Sequence, residues 1–70
     1  MTESQLRVKA MRAVKKAGGK VTITYGPFGD RGDTYYYEVE LATWFGSEFA
    51  YSLRKTYREA LLFIIQEVSR

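Results

Sequence analysis

The sequence predicts an α+β fold in the order α-β-β-β-α, a three-stranded antiparallel sheet with two helices packed on one face. Three observations carry that prediction. Apolar residues recur at helical spacing at both ends of the chain. The middle alternates apolar and polar residues with a period of two. Turn-forming residues interrupt the pattern at Gly18-Gly19, at 26–33 and at Gly46-Ser47. Seventy residues suffice for one small domain, 1–70, with no linker or repeat.

The first helix is expected over about Glu3–Ala17. Thr2 and Gln5 have capping-box spacing, and Gly18-Gly19 ends the helix. At 100° per residue, Leu6, Ala10, Ala13, Val14 and Ala17 share one face, while Lys9, Arg12 and Lys16 lie opposite. Lys20–Tyr25 then alternates, with Val21, Ile23 and Tyr25 on one side and threonines on the other, as in a half-buried strand. Residues 26–33, Gly-Pro-Phe-Gly-Asp-Arg-Gly-Asp, read as a loop.

Thr34–Phe45 is the longest strand candidate. Tyr35, Tyr37, Val39 and Leu41 fall on one face, and Tyr36, Glu38, Glu40, Ala42 and Trp44 on the other, which is expected to be open. Gly46-Ser47 marks a hairpin into a third strand, about Glu48–Leu53. A two-residue turn puts Phe49, Tyr51 and Leu53 on the Trp44 face. A three-residue loop puts them with Val39 and Leu41, buries more apolar surface, and is the expected register. Thr56 and Glu59 again have capping-box spacing and open a helix with Ala60, Leu61, Ile64, Ile65 and Val68 on its buried stripe, joined by Tyr57. Leu62 and Phe63 project off that stripe. At least one of them is expected at the surface or in a contact, and a homodimer would cover them.

The composition argues against an enzyme. Without histidine there is no imidazole base or imidazole metal ligand, and without cysteine no thiolate nucleophile or thiolate metal site. Glu38 and Glu40 have the spacing of a carboxylate pair, but so small a chain has little to wall them from water. Asp30 and Asp33 fall short of a calcium ligand set, and 26–32 is neither a dinucleotide fingerprint nor a phosphate loop. No cofactor, metal or small-molecule substrate is expected. The longest apolar run, Leu61–Ile65, cannot span a bilayer, so no membrane role is expected. With no export signal and no cysteine, a cytoplasmic setting is the default.

Charge is sorted along the chain. Residues 1–20 carry Arg7, Lys9, Arg12, Lys15, Lys16 and Lys20 against Glu3, a net of +5. Residues 21–53 have a net of −4, and residues 54–70 a net of +2. Such sorting bears on partners rather than on fold. Lys9, Arg12 and Lys16 form a stripe able to follow a phosphate backbone, or else an ordinary solvated face. Arg54, Lys55 and Arg58 crowd a helix start, where the free amides already favour anions. They either hold an anion there, or splay into solvent or pair with Glu48 and Glu59.

In element order, across nearly its whole length, the chain resembles the double-stranded-RNA-binding domain family. That resemblance implies RNA contact through the first helix, the loop between strands one and two, and the start of the last helix. Here those regions hold Lys9, Arg12 and Lys16, then Gly26-Pro27 with Arg31, then Arg54, Lys55 and Arg58. Gly26-Pro27 is similar to the family's loop Gly-Pro, but no histidine follows, and Asp30 and Asp33 add negative charge. The family's lysine-rich signature becomes Arg54-Lys55-Thr56-Tyr57-Arg58-Glu59-Ala60, and its alanine-rich last helix becomes Leu-Leu-Phe-Ile-Ile.

Two functions are therefore expected of this chain. The first is a non-catalytic domain that binds a nucleic-acid backbone through Lys9, Arg12, Lys16, Arg31, Arg54, Lys55 and Arg58. The second is an inhibitor or adaptor that binds a nucleic-acid-handling protein. It would use Tyr36, Glu38, Glu40 and Trp44 on the open sheet face, with Leu62 and Phe63 as further contacts. In size, compactness and lack of cysteine the chain resembles small phage-encoded inhibitors, including anti-CRISPR proteins.

Overall fold

The computed structural model of the chain describes residues 1–28, Gly32, 34–43 and 49–69. The elements run α1 (Glu3–Lys16), β1 (Gly19–Phe28), β2 (Thr34–Thr43), β3 (Phe49–Arg54) and α2 (Tyr57–Val68), in the α-β-β-β-α order. The sheet is an antiparallel meander with β2 in the centre and β1 and β3 as its edges.

Both helices begin on local chemistry. At α1 the Thr2 hydroxyl accepts from the Gln5 N–H, and the Gln5 side chain accepts from the Thr2 N–H at 2.8 Å, closing the capping box. At its far end Gly18 takes φ 69°, and its N–H donates to the Lys15 carbonyl, so the chain turns directly into β1. At α2 the capping differs in one bond. The Thr56 hydroxyl accepts from the Glu59 N–H at 3.1 Å and donates to the Glu59 carboxylate at 3.0 Å. The acid in that first turn is thus engaged with the cap residue.

The core lies between the helices and the helix-facing side of the sheet. Leu6, Ala10 and Val14 of α1 and Ala60, Leu61, Phe63 and Ile64 of α2 meet Val39 and Leu41 of the central strand. The alanines let the helix surfaces approach closely. The molecule is only 16 Å thick along its shortest axis, enough for one helical layer on one sheet, and among the described residues no element lies over the other sheet face.

Three expectations need correction. β1 is longer than Lys20–Tyr25: Gly26, Pro27 and Phe28 continue it, pairing with Tyr36, Tyr35 and Thr34. A proline is admissible there because β1 is an edge strand. The β3 register is also the other one. Tyr51 lies opposite Glu40 and Leu53 opposite Glu38, so both stand on the uncovered face, while Ala50, Ser52 and Arg54 turn toward the helices. Small side chains on that side leave room for the Phe63 ring, which is buried at 8% exposure; larger ones would overfill it. Lastly, Phe63 joins the core and Leu62 alone of the pair remains exposed. Among the described residues no helix is long and apolar enough to cross a membrane.

Candidate nucleic-acid interface

The outer face of α1 is basic because its apolar stripe is fully spent on the core. Leu6, Ala10 and Val14 face inward, so the helical period turns Lys9, Arg12 and Lys16 outward, and all three are exposed. The helix carries Arg7 and Lys15 as well, and its sole acid is Glu3 in the first turn. Beside the stripe lies a shallow depression lined by Met1, Ser4, Gln5, Val8, Lys9 and Arg12.

The start of α2 lies against the start of α1. An Arg58 Nη1–H donates to the Met1 carbonyl oxygen at 3.0 Å, which ties the start of α2 to the residue just before α1. Lys55 and Arg58 are exposed there. Arg54 is not available in the same way. Its Nε–H donates to the Ser52 hydroxyl at 2.7 Å, and its guanidinium carbon lies 5.1 Å from the centroid of the Phe63 ring. Arg54 therefore covers the core, and Phe63, expected as a contact residue, is sealed beneath it.

On the uncovered sheet face Glu38 and Tyr51 are joined, the Tyr51 hydroxyl donating to the Glu38 carboxylate at 2.8 Å. That bond, helped by burial and by the charges of Glu38 and Glu40, raises the Tyr51 pKa above its ordinary value. Tyr36 is half-buried on this face and Glu40 exposed. Arg31 and Trp44, also expected as site residues, lie outside the described residues, as do Asp30, Asp33 and Glu48. Among the described residues no group of three or more acidic residues comes together to hold a metal.

A cluster not anticipated as a site lies on the helix side of the sheet. Tyr25 and Tyr37 pair across β1 and β2 with ring centroids 4.5 Å apart. Tyr35 lies 5.5 Å from Tyr25, and Tyr57 of α2 lies 5.5 Å from Tyr37. Alternation alone puts Tyr25 with Val21 and Ile23 and puts Tyr35 and Tyr37 with Val39 and Leu41; the β1–β2 pairing then sets these faces side by side. Comparison of the chain with protein-family models, curated proteins and solved structures finds no significant match.

Proposed function

We propose that this chain is a non-catalytic domain that binds a nucleic-acid backbone. Lys9, Arg12 and Lys16 of α1 and Lys55 and Arg58 at the start of α2 make the phosphate contacts. One observation carries this reading: charge is sorted by face as well as by position. The sheet acids Glu38 and Glu40 point to the uncovered side, whereas the helix-facing side of β1, β2 and β3 bears no acid among its described residues and ends in Arg54. An anionic polymer approaching the helical side meets the exposed cations of α1 and α2, and one approaching the opposite side meets Glu38 and Glu40, with Lys20 near the start of β1 on that same face. The element order shared with double-stranded-RNA-binding domains supports the same side.

Fluorescence anisotropy with labelled duplex and single-stranded oligonucleotides tests the reading. Binding to the unaltered chain, weakened at least tenfold by Lys9→Glu, Arg12→Glu and Lys16→Glu together, supports it. Unchanged affinity in that triple variant contradicts it.

A second reading rests on a different observation. Tyr51 and Leu53, 47% and 39% exposed, stand beside Tyr36, Glu38 and Glu40 on a sheet face that no helix covers. Aromatic and apolar groups among carboxylates fit a basic protein, such as one that itself handles nucleic acid. On this reading the domain is a phage-type inhibitor or adaptor. Tyr51→Ala with Leu53→Ala then abolishes capture of the partner and leaves oligonucleotide affinity unchanged.

A further inference from the structure

We infer that the tyrosines near the far end of the β1–β2 hairpin form a stacking platform for unpaired bases, so that the preferred ligand is a single strand or an open loop. This deepens the backbone-binding reading above and rests on it. Ten-residue strands reach about 33 Å, whereas helices of 14 and 12 residues reach about 21 and 18 Å. The hairpin is therefore longer than either helix, and among the described residues Tyr25 and Tyr35 near its far end remain exposed on the helix side.

Tyr25 and Tyr35 are 57% and 54% exposed; the Tyr25 ring has Tyr35 and Tyr37 as neighbours, and Tyr35 stands outermost of the three. Tyr37 braces Tyr25 from beneath at 4.5 Å, and Tyr57 braces Tyr37 in turn. Rings held in this way lose little freedom when a base stacks on them. Exposed aromatic surface usually needs a partner, and here the partner's charge is indicated by its neighbours.

Tyr57 is the first residue of α2, with exposed Lys55 two positions before it and exposed Arg58 directly after it. Glu38 and Glu40 point away through the sheet, and the Glu59 carboxylate is held by the Thr56 hydroxyl. A row of aromatic rings with cations at its α2 end suits a single strand, whose bases stack along the row while its phosphates meet Lys55 and Arg58. Paired bases in a duplex keep their faces hidden and gain nothing from the tyrosines.

The test compares three probes on the full chain: a mixed-sequence 12-nucleotide single strand, an abasic strand of the same length, and the matching duplex. The single strand is expected to bind about tenfold more tightly than the abasic strand. Tyr25→Leu with Tyr35→Leu removes that difference, and phenylalanine at both positions restores it. A strand carrying 2-aminopurine reads stacking on the unaltered protein, with quenching expected on binding. Equal binding of base-bearing and abasic strands, or absence of quenching, overturns the stacking platform while leaving backbone binding intact. No binding of any strand removes both. A glutamate-rich peptide that binds as tightly as the single strand also overturns the inference, since the patch then selects charge alone.

Discussion

The guanidinium of Arg54 lies over the ring of Phe63, its carbon 5.1 Å from the ring centroid, and closes the core between the end of β3 and the middle of α2. The contact gives both residues structural work. Arg54→Ala is expected to lower stability by about 1 kcal/mol and to change oligonucleotide affinity by less than Lys55→Ala or Arg58→Ala does. Urea denaturation and a binding titration on the same three variants check this. An affinity loss for Arg54→Ala exceeding both of the others would place Arg54 at the interface instead.

The two neighbouring α2 residues that share apolar chemistry should respond oppositely. Leu61 is fully buried and Leu62 is 47% exposed. Leu61→Ala is expected to cost roughly 2–5 kcal/mol, enough to unfold much of so small a domain. Leu62→Ala stays within about 0.5 kcal/mol. Circular dichroism on thermal melts separates them, and similar melting for both would contradict the packing described.

Gly18 sits at φ 69°, where a side chain meets its own backbone. Gly18→Ala is expected to cost about 1–2 kcal/mol, read by urea denaturation. Gly19 has an ordinary φ but little room, since an added Cβ would come within 3.1 Å of the Ala42 carbonyl oxygen. An unchanged midpoint for Gly18→Ala would mean that the helix ends differently.

The Tyr51–Glu38 hydrogen bond predicts a pH dependence with a definite sign. Folding raises the Tyr51 pKa, so the folded state holds the phenolic proton more tightly than the unfolded state does. The associated stability is full below the ordinary tyrosine value near 10 and is lost as pH rises through the raised folded value. NMR of tyrosine labelled at Cζ should show Tyr51 titrating above free tyrosine, and Glu38→Gln should move it back down. An unmoved Tyr51 in Glu38→Gln would remove the hydrogen bond as the cause.

Local chemistry was legible in the sequence and long-range choices were not. Thr2 with Gln5 and Gly18 announce the ends of α1 because caps involve residues only a few positions apart. The faces of β2 follow from a period of two. The β3 register does not, because Phe49, Tyr51 and Leu53 look like core when the strand is considered alone. Packing favours Ala50 and Ser52 there because the Phe63 ring of α2, with Arg54 of β3 over it, occupies that side. A helical projection likewise puts Phe63 off the stripe, whereas in the fold it joins the core cluster and Arg54 lies over its ring. The basic stripe of α1 was legible for the same local reason as its caps. The tyrosine cluster was not, since its rings come from three elements and meet only once β1, β2 and α2 are assembled.

The central claim is that phosphates dock on Lys9, Arg12, Lys16, Lys55 and Arg58, and salt dependence tests it most directly. The logarithm of the affinity for a single strand should fall linearly with the logarithm of salt concentration. Five phosphate contacts give a slope of about −3.5. Replacing Lys9, Arg12 and Lys16 with alanine should reduce its magnitude by about 2. A slope near zero, or one that the triple replacement leaves unchanged, would contradict the account.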